Sequence, residues 1–140
     1  MSIMIDRALK IATEAHKGQK DKGGCDYINH PVTVASMCDT EEEKIVALLH
    51  DVVEDTDITL EDLEKCGFDR SIIEAVDCIT KRPGFFYDEY LKRLKNNELA
   101  RKVKIADMTH NSDLSRLKAP TEKDYERAAK YKEKIKYLTD

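Results

Sequence analysis

His50 and Asp51 stand side by side at the end of an apolar run, Ile45-Val-Ala-Leu-Leu, with Glu54 and Asp55 following one turn later. Residues on an α-helix advance by about 100°, so with His50 at zero, Glu54 falls at about 40°, Asp51 at about 100° and Asp55 at about 140°. All four then share one side of a helix as two adjacent ridges. An imidazole and a carboxylate that reach one cation suit Mn, Fe, Co or Zn better than Ca or Mg. The acidic pair one turn on would stand over the open positions of that cation. An isolated His-Asp pair is more often structural than functional. Here, however, the helix that carries it reads as apolar on nearly every side, hence as buried and central. Ionisable groups at the end of such a helix cost several kcal/mol unless they are paired or bind a metal.

Other residues could join them. His30 precedes Pro31, which fits the first turn of a helix, so His30 belongs at a helix N-terminus, as a cap or as a ligand. Asp107 lies on an otherwise apolar helical stripe, where it needs a cation: a metal, or Lys104 or Arg101. Asn111 shares the side of Asp107 one turn later, either as a C-cap or facing a ligand. His16 and His110 sit on apolar stripes and read as core or supporting histidines rather than ligands. Lys81, Arg82, Arg93, Lys104 and Arg116 could neutralise phosphates, with solvated surface as the plainer reading. Tyr87 and Tyr90 read as core.

The elements that must position these groups are helices. Ile5, Ala8, Leu9, Ala12 and His16 define an amphipathic first helix. The glycines at 23 and 24 mark a loop from Lys17 to Asp26. Pro31, Val32, Val34 and Ala35 open the next helix. Thr40 with Glu43, and Thr59 with Asp62, are capping boxes, and Gly67 ends the helix that Thr59 begins. Ile72, Ile73, Val76 and Ile79 define a helix that stops before Pro83. Three more are marked by Tyr87, Tyr90, Leu91 and Leu94; by Leu99, Val103, Ala106 and His110; and by Tyr125, Ala128, Tyr131, Ile135 and Leu138. The expectation is one all-α domain over residues 1–140, a bundle of about six to eight helices.

The chain's composition agrees. Five glycines and three prolines among 140 residues are few for an all-β chain, and 37% charged residues beside 41% apolar fit amphipathic helices. A net charge of −4 gives no basic footprint for nucleic acid. No signal peptide and no apolar run of about 18 residues is present, which argues against a membrane. Cys25, Cys38, Cys66 and Cys78 contain no C-x-x-C spacing. They are expected as reduced thiols in the cytoplasm, with Cys66 and Cys78 packing like small hydrophobes.

Four segments together, Ala15-His-Lys-Gly-Gln19, Tyr27-Ile-Asn-His-Pro31, Ala47-Leu-Leu-His-Asp-Val-Val-Glu-Asp-Thr56 and Lys104-Ile-Ala-Asp-Met-Thr-His-Asn111, resemble the HD hydrolase domain of RelA/SpoT-type alarmone enzymes. They also resemble the stand-alone small alarmone hydrolases, in order and spacing from about Ile5 to Leu117. The resemblance implies Mn2+ held by His30, His50, Asp51 and Asp107, with Glu54 and Asp55 orienting or deprotonating the attacking water. The resemblance gives Asn111 a contact to the bound nucleotide, and Lys20, Lys22, Lys104 and Arg116 are the basic candidates for contacts to its phosphates. The implied reaction removes the 3′-pyrophosphate of a ppGpp-like nucleotide, and no chain is left for a synthetase domain. The loop after the first helix departs from the family: Asp21 stands where an Arg meets the guanine base, and Asp26 replaces a Pro. A carboxylate cannot stack as a cation and repels phosphates. This loop favours a second reading, the same chemistry on another phosphorylated nucleotide. A third reading is a non-catalytic nucleotide sensor, whose expected mark, loss of a ligand or of the acidic pair, is not present.

Overall fold

The apolar run that ends at His50 forms the centre of the molecule. The computed structural model describes residues 3–21, 23–84, 86–117 and 119–139, without the Arg116 side chain. In it the run belongs to helix α3 (Glu41–Leu49), whose residues Ile45 to Leu49 are all buried. Four helices surround α3: α1 (Ile3–Ala15), α2 (Asn29–Ser36), α6 (Arg70–Ile79) and α8 (Glu98–Asn111). The short α5 (Leu60–Lys65) packs on α6, α7 (Tyr87–Lys95) on α6 and α8, and the long α9 (Glu122–Thr139) on α8. Counting α4 (Val52–Asp55), the described residues hold nine α-helical segments and one 3-10 turn at Leu114–Arg116. Their only β-type pairing is an isolated bridge between Lys20 and Asp26. The architecture is all-α, and no helix among the described residues is long and apolar enough to cross a membrane.

One difference from the sequence reading bears directly on the site. A single helix was expected to run through His50 and Asp51 to the acidic pair. The chain breaks there instead: α3 stops at Leu49, Asp51 adopts φ −102° and ψ −5°, and α4 is a separate short turn. His50 and Asp51 both keep right-handed helical dihedrals, so the chain kinks between α3 and α4 without reversing direction. Side-chain bonds account for the break, because His50 folds back onto the Ala47 carbonyl and Asp51 accepts from the Tyr27 hydroxyl. Such bonds compete with continuation of a helix.

The caps that orient the helices match the sequence in part. Thr59 and Asp62 bond each other's backbone N–H, a complete box. Thr40 accepts from the Glu43 N–H, but the Glu43 carboxylate takes the Thr40 hydroxyl rather than its N–H, so that box is half made. Gly67, at φ +93°, turns the chain after α5. Ala8 and Ala12 form the narrow buried stripe of α1, which leaves Leu9 38% exposed, and Tyr125 in the first turn of α9 is 59% exposed. Neither packs in the core as the periodicity suggested, since each stands at the edge of its helix's apolar stripe. The four thiols are free, with Cys38 buried, Cys66 and Cys78 packed partly against the core, and Cys25 exposed.

Candidate metal centre

Three helices deliver the site. His30 enters at the second residue of α2, with Pro31 behind it in the first turn, where a missing N–H costs nothing. His50 comes from the end of α3 and Asp107 from the third turn of α8; all three are buried. Their ligand-type atoms lie within 4.8 Å of one another. His30 Nε2 is 2.7 Å and His50 Nε2 is 3.3 Å from the same Asp107 oxygen. Asp51 reaches the group through His50, with Oδ2 3.1 Å from that ring's Nε2.

The far side of each imidazole is occupied. His50 Nδ1 donates to the backbone carbonyl of Ala47, and His30 Nδ1 lies 2.7 Å from Nδ1 of His110, whose ring stacks on it at 5.0 Å. When His30 Nδ1 carries the proton and donates to His110, both Nε2 lone pairs are left facing the carboxylates. Two imidazole nitrogens with fixed tautomers, buried beside carboxylates, match the donor set of a divalent transition metal. Lys104 closes the other side of Asp107 at 3.2 Å, and Asn111 donates to its Oδ1 at 3.2 Å.

Electrostatics support the same conclusion. Burial alone would push the Asp107 carboxyl up, yet Lys104, His30 and His50 hold it well below the usual carboxylate range. Burial likewise opposes a charge on His50, but Asp51 and Asp107 raise its pKa well above that of free imidazole. Asp51, despite its own desolvation, is pulled down to about 2 by His50. The cluster is therefore built to hold positive charge at one point.

Glu54 and Asp55 stand exposed on α4 at the lip of the site, and partial desolvation raises both carboxyls. Glu54 accepts the Lys81 N–H at 2.7 Å, which ties it to the segment after α6. Beside His30 opens a cleft of about 290 Å3, lined among others by Lys20, Tyr27, Asn111, Arg127 and Tyr131. Lys20, which pairs with Asp26, and Asn111 are thus both on the cleft wall. Lys104 faces Asp107, the pairing that the sequence offered as an alternative to ligation. Lys22 and the Arg116 side chain lie outside the described residues. Arg82 and Arg93 turn to Asp77, at 2.7 and 3.3 Å, which accords with the surface reading.

Sequence reasoning passed over Tyr27, Asp113, Arg127 and Tyr131 as site residues. Tyr27 donates to Asp51, and Asp113, Arg127 and Tyr131 line the cleft. Arg127 and Tyr131 share a helix face at i, i+4, but the pattern of α9 gave no sign of what that face meets. The departure at Asp21 has a local cause: its Oδ1 accepts the N–H groups of Gly23 and Cys25 at 2.9 and 3.0 Å and shapes the loop. His16 is buried, with Nδ1 3.1 Å from Gln19 Oε1, whereas its Nε2 has no hydrogen-bond partner among the described residues. A buried polar atom left so costs about 1–3 kcal/mol.

A helical domain that gathers His30, His50 and Asp107 from three separate helices is a metal-binding design, and the chain belongs to the HD domain family, whose model matches residues 8–85. It is 36% identical over 126 residues to the bifunctional (p)ppGpp synthase/hydrolase SpoT of Escherichia coli K12, a match covering 76% of this chain and 17% of that protein. It is 45% identical over 82 residues to guanosine-3′,5′-bis(diphosphate) 3′-pyrophosphohydrolase of Vibrio cholerae, covering 55% of this chain and 11% of the relative. A solved metazoan ortholog of SpoT that hydrolyses ppGpp and plays a role in starvation responses shares the fold, with TM-score 0.76 and 28% identity. That match covers 100% of this chain and 85% of the other. The RelA/SpoT resemblance read from the motifs is borne out, while the chain spans no more than 17% of the length of these two curated relatives.

Proposed function

We propose that this protein is a metal-dependent phosphohydrolase that removes the 3′-pyrophosphate from a guanosine alarmone of the ppGpp type. The observation that carries the reading is the buried His30–His50–Asp107 cluster opening beside a cleft with the cations Lys20 and Arg127. The names of its relatives and the metazoan structure support the substrate class.

His30, His50, Asp51 and Asp107 would hold the divalent cation, with Mn2+ as the favoured ion. Such a cation lowers the pKa of water and polarises a phosphoryl oxygen. The chain's own residues do the rest. Glu54 and Asp55, with raised pKa values at the lip, handle protons: one carboxylate takes a proton from the attacking water and the other acid returns one to the departing 3′ oxygen. Water adds to phosphorus, the 3′ O–P bond breaks, and pyrophosphate and the parent nucleotide leave. Lys20 and Arg127 oppose phosphate charge, Tyr131 offers a ring to the base, and Asn111 offers an amide at the junction of cleft and cluster. The four free thiols support a reducing, cytoplasmic setting.

One observation favours a second substrate. Asp21 and Asp113 both line the cleft and would accept hydrogen bonds from a base other than the one the family loop recognises. The test is pyrophosphate or phosphate release by the purified protein, with and without Mn2+, from ppGpp and a panel of nucleotides. Release from ppGpp only with Mn2+ is expected. Turnover of another nucleotide with none of ppGpp would move the assignment to that substrate, and turnover of nothing by metal-loaded protein would leave a sensor.

A further inference from the structure

We infer that Tyr90 is a positioning residue of the hydrolytic site: its hydroxyl fixes the end of α6 so that the main-chain N–H of Lys81 holds Glu54 for proton transfer. This rests on the hydrolase reading above. The contact begins with the way α6 ends.

In a continuing helix the Ile79 carbonyl would accept from the N–H four residues on, but that residue is Pro83, which has none. The Lys81 N–H would likewise turn back to the Asp77 carbonyl. Instead the chain leaves the helix at Thr80, with φ −77° and ψ 117°. The Tyr90 hydroxyl, from the first turn of α7, donates to the Ile79 carbonyl in place of the missing amide. The Arg82 guanidinium reaches the Asp77 carbonyl at 3.4 Å. Released from the helix, the Lys81 N–H meets Glu54 Oε1 at 2.7 Å.

Little play remains between the two bonded ends. Thr80, between Ile79 and Lys81, is buried, and its own hydroxyl donates back to the Val76 carbonyl at 2.7 Å. Glu54 is the opposite case, an exposed side chain on the four-residue α4. Such a carboxylate has several rotamers open to it, and a fixed main-chain donor selects one.

Tyr90 itself is only 6% exposed. Its ring stands edge-on to Tyr87 at 5.6 Å and lies 5.7 Å from Lys104 Nζ, the ammonium that pairs with Asp107. One side chain thus touches both halves of the site. The ring backs the lysine beside a metal ligand, and the hydroxyl holds the segment that directs the acidic lip.

Two arms test the inference. Tyr90→Phe keeps the ring against Lys104 and deletes only the hydroxyl. It is expected to lower kcat about 10-fold, with KM and bound metal unchanged. The same change made in Glu54→Gln protein should cost little more, because the group it positions is already disabled. A full further loss there would overturn the inference in favour of a packing role. A second pair leaves Tyr90 in place. Lys81→Pro removes the N–H itself and suits the extended dihedrals that Thr80 already has. Its kcat should fall about 10-fold below that of Lys81→Ala, which keeps the N–H; equal rates in the two would also overturn the inference.

The other arm needs no turnover. In 1H–15N spectra of zinc-loaded, and therefore diamagnetic, protein the Lys81 amide proton should resonate downfield as a donor to a carboxylate. It should move upfield in both Glu54→Ala and Tyr90→Phe. A Lys81 amide indifferent to Tyr90→Phe sinks the inference even when ppGpp is hydrolysed. Failure of wild-type protein to hydrolyse any nucleotide sinks the hydrolase reading instead, and the spectra still decide the contact.

Discussion

The metal centre and the cleft beside it are built on opposite plans. At the centre, side chains from α2, α3 and α8 are buried, and their partners lie as far as 80 residues away in sequence, as with His30 and His110. In the cleft's loop the contacts are local and exposed: Asp21 bonds Gly23 and Cys25, and Lys20 pairs with Asp26. Substitution at the centre is therefore coupled to the core, while the loop can change without disturbing it. This contrast suggests that the chemistry resides in the scaffold and the choice of substrate in the loop, which is where the chain departs from its relatives' motif.

The largest test of that division is Asp107→Ala. It should release the metal and lower kcat by about 1,000-fold or more, because the cation supplies several kcal/mol; metal analysis alongside rate measurements would show both. Glu54→Gln should keep the metal and lose about 100-fold in kcat, as expected for a proton-transfer group. Near-normal turnover there would remove the acidic lip from the mechanism. His110→Phe keeps a ring against His30 but deletes its hydrogen-bond partner, and should weaken metal affinity by about 10-fold or more; a metal titration reads this directly.

Next comes a pH effect. His50 has a raised pKa in metal-free protein, so its stabilising charge is fully present below the ordinary value of 6.5 and is lost as pH rises through the folded-state value. The Tm of metal-free protein should accordingly fall from pH 6 towards alkaline pH. Saturating Mn2+, which needs the neutral ring, should reduce or reverse that fall. A Tm that rises with pH in the absence of metal would contradict the charge arrangement. The smallest change is expected at the loop. Asp21→Asn keeps an acceptor for Gly23 and Cys25 but removes a charge from the cleft, so KM for an anionic nucleotide should drop by about 2- to 5-fold with metal content unchanged.

Legibility in the sequence follows the same boundary. Periodicity located the helices because their apolar stripes are local, and the conflict between a buried helix and its polar end pointed to His50 and Asp51. The break after Leu49 was not visible, because it depends on Asp51 meeting Tyr27 from another segment. His110 could be read as a supporting histidine, yet not assigned to His30, since only the packing of α8 on α2 brings the rings together. Arg127 and Tyr131 escaped notice for a related reason. Tyr131 belongs to the apolar stripe of α9, and such a stripe with a flanking Arg reads the same whether it packs on the core alone or also borders a cleft.

The two imidazoles of the centre also differ in what mutation can do to them. The tautomer of His50 is held by the carbonyl of Ala47, a main-chain atom that no single substitution deletes. That of His30 depends on the side chain of His110, which any amino-acid substitution at that position replaces. One histidine is inherited with the backbone and the other is open to variation. Natural drift in the basicity of this centre should therefore enter through the His30–His110 pair, leaving His50 as its constant.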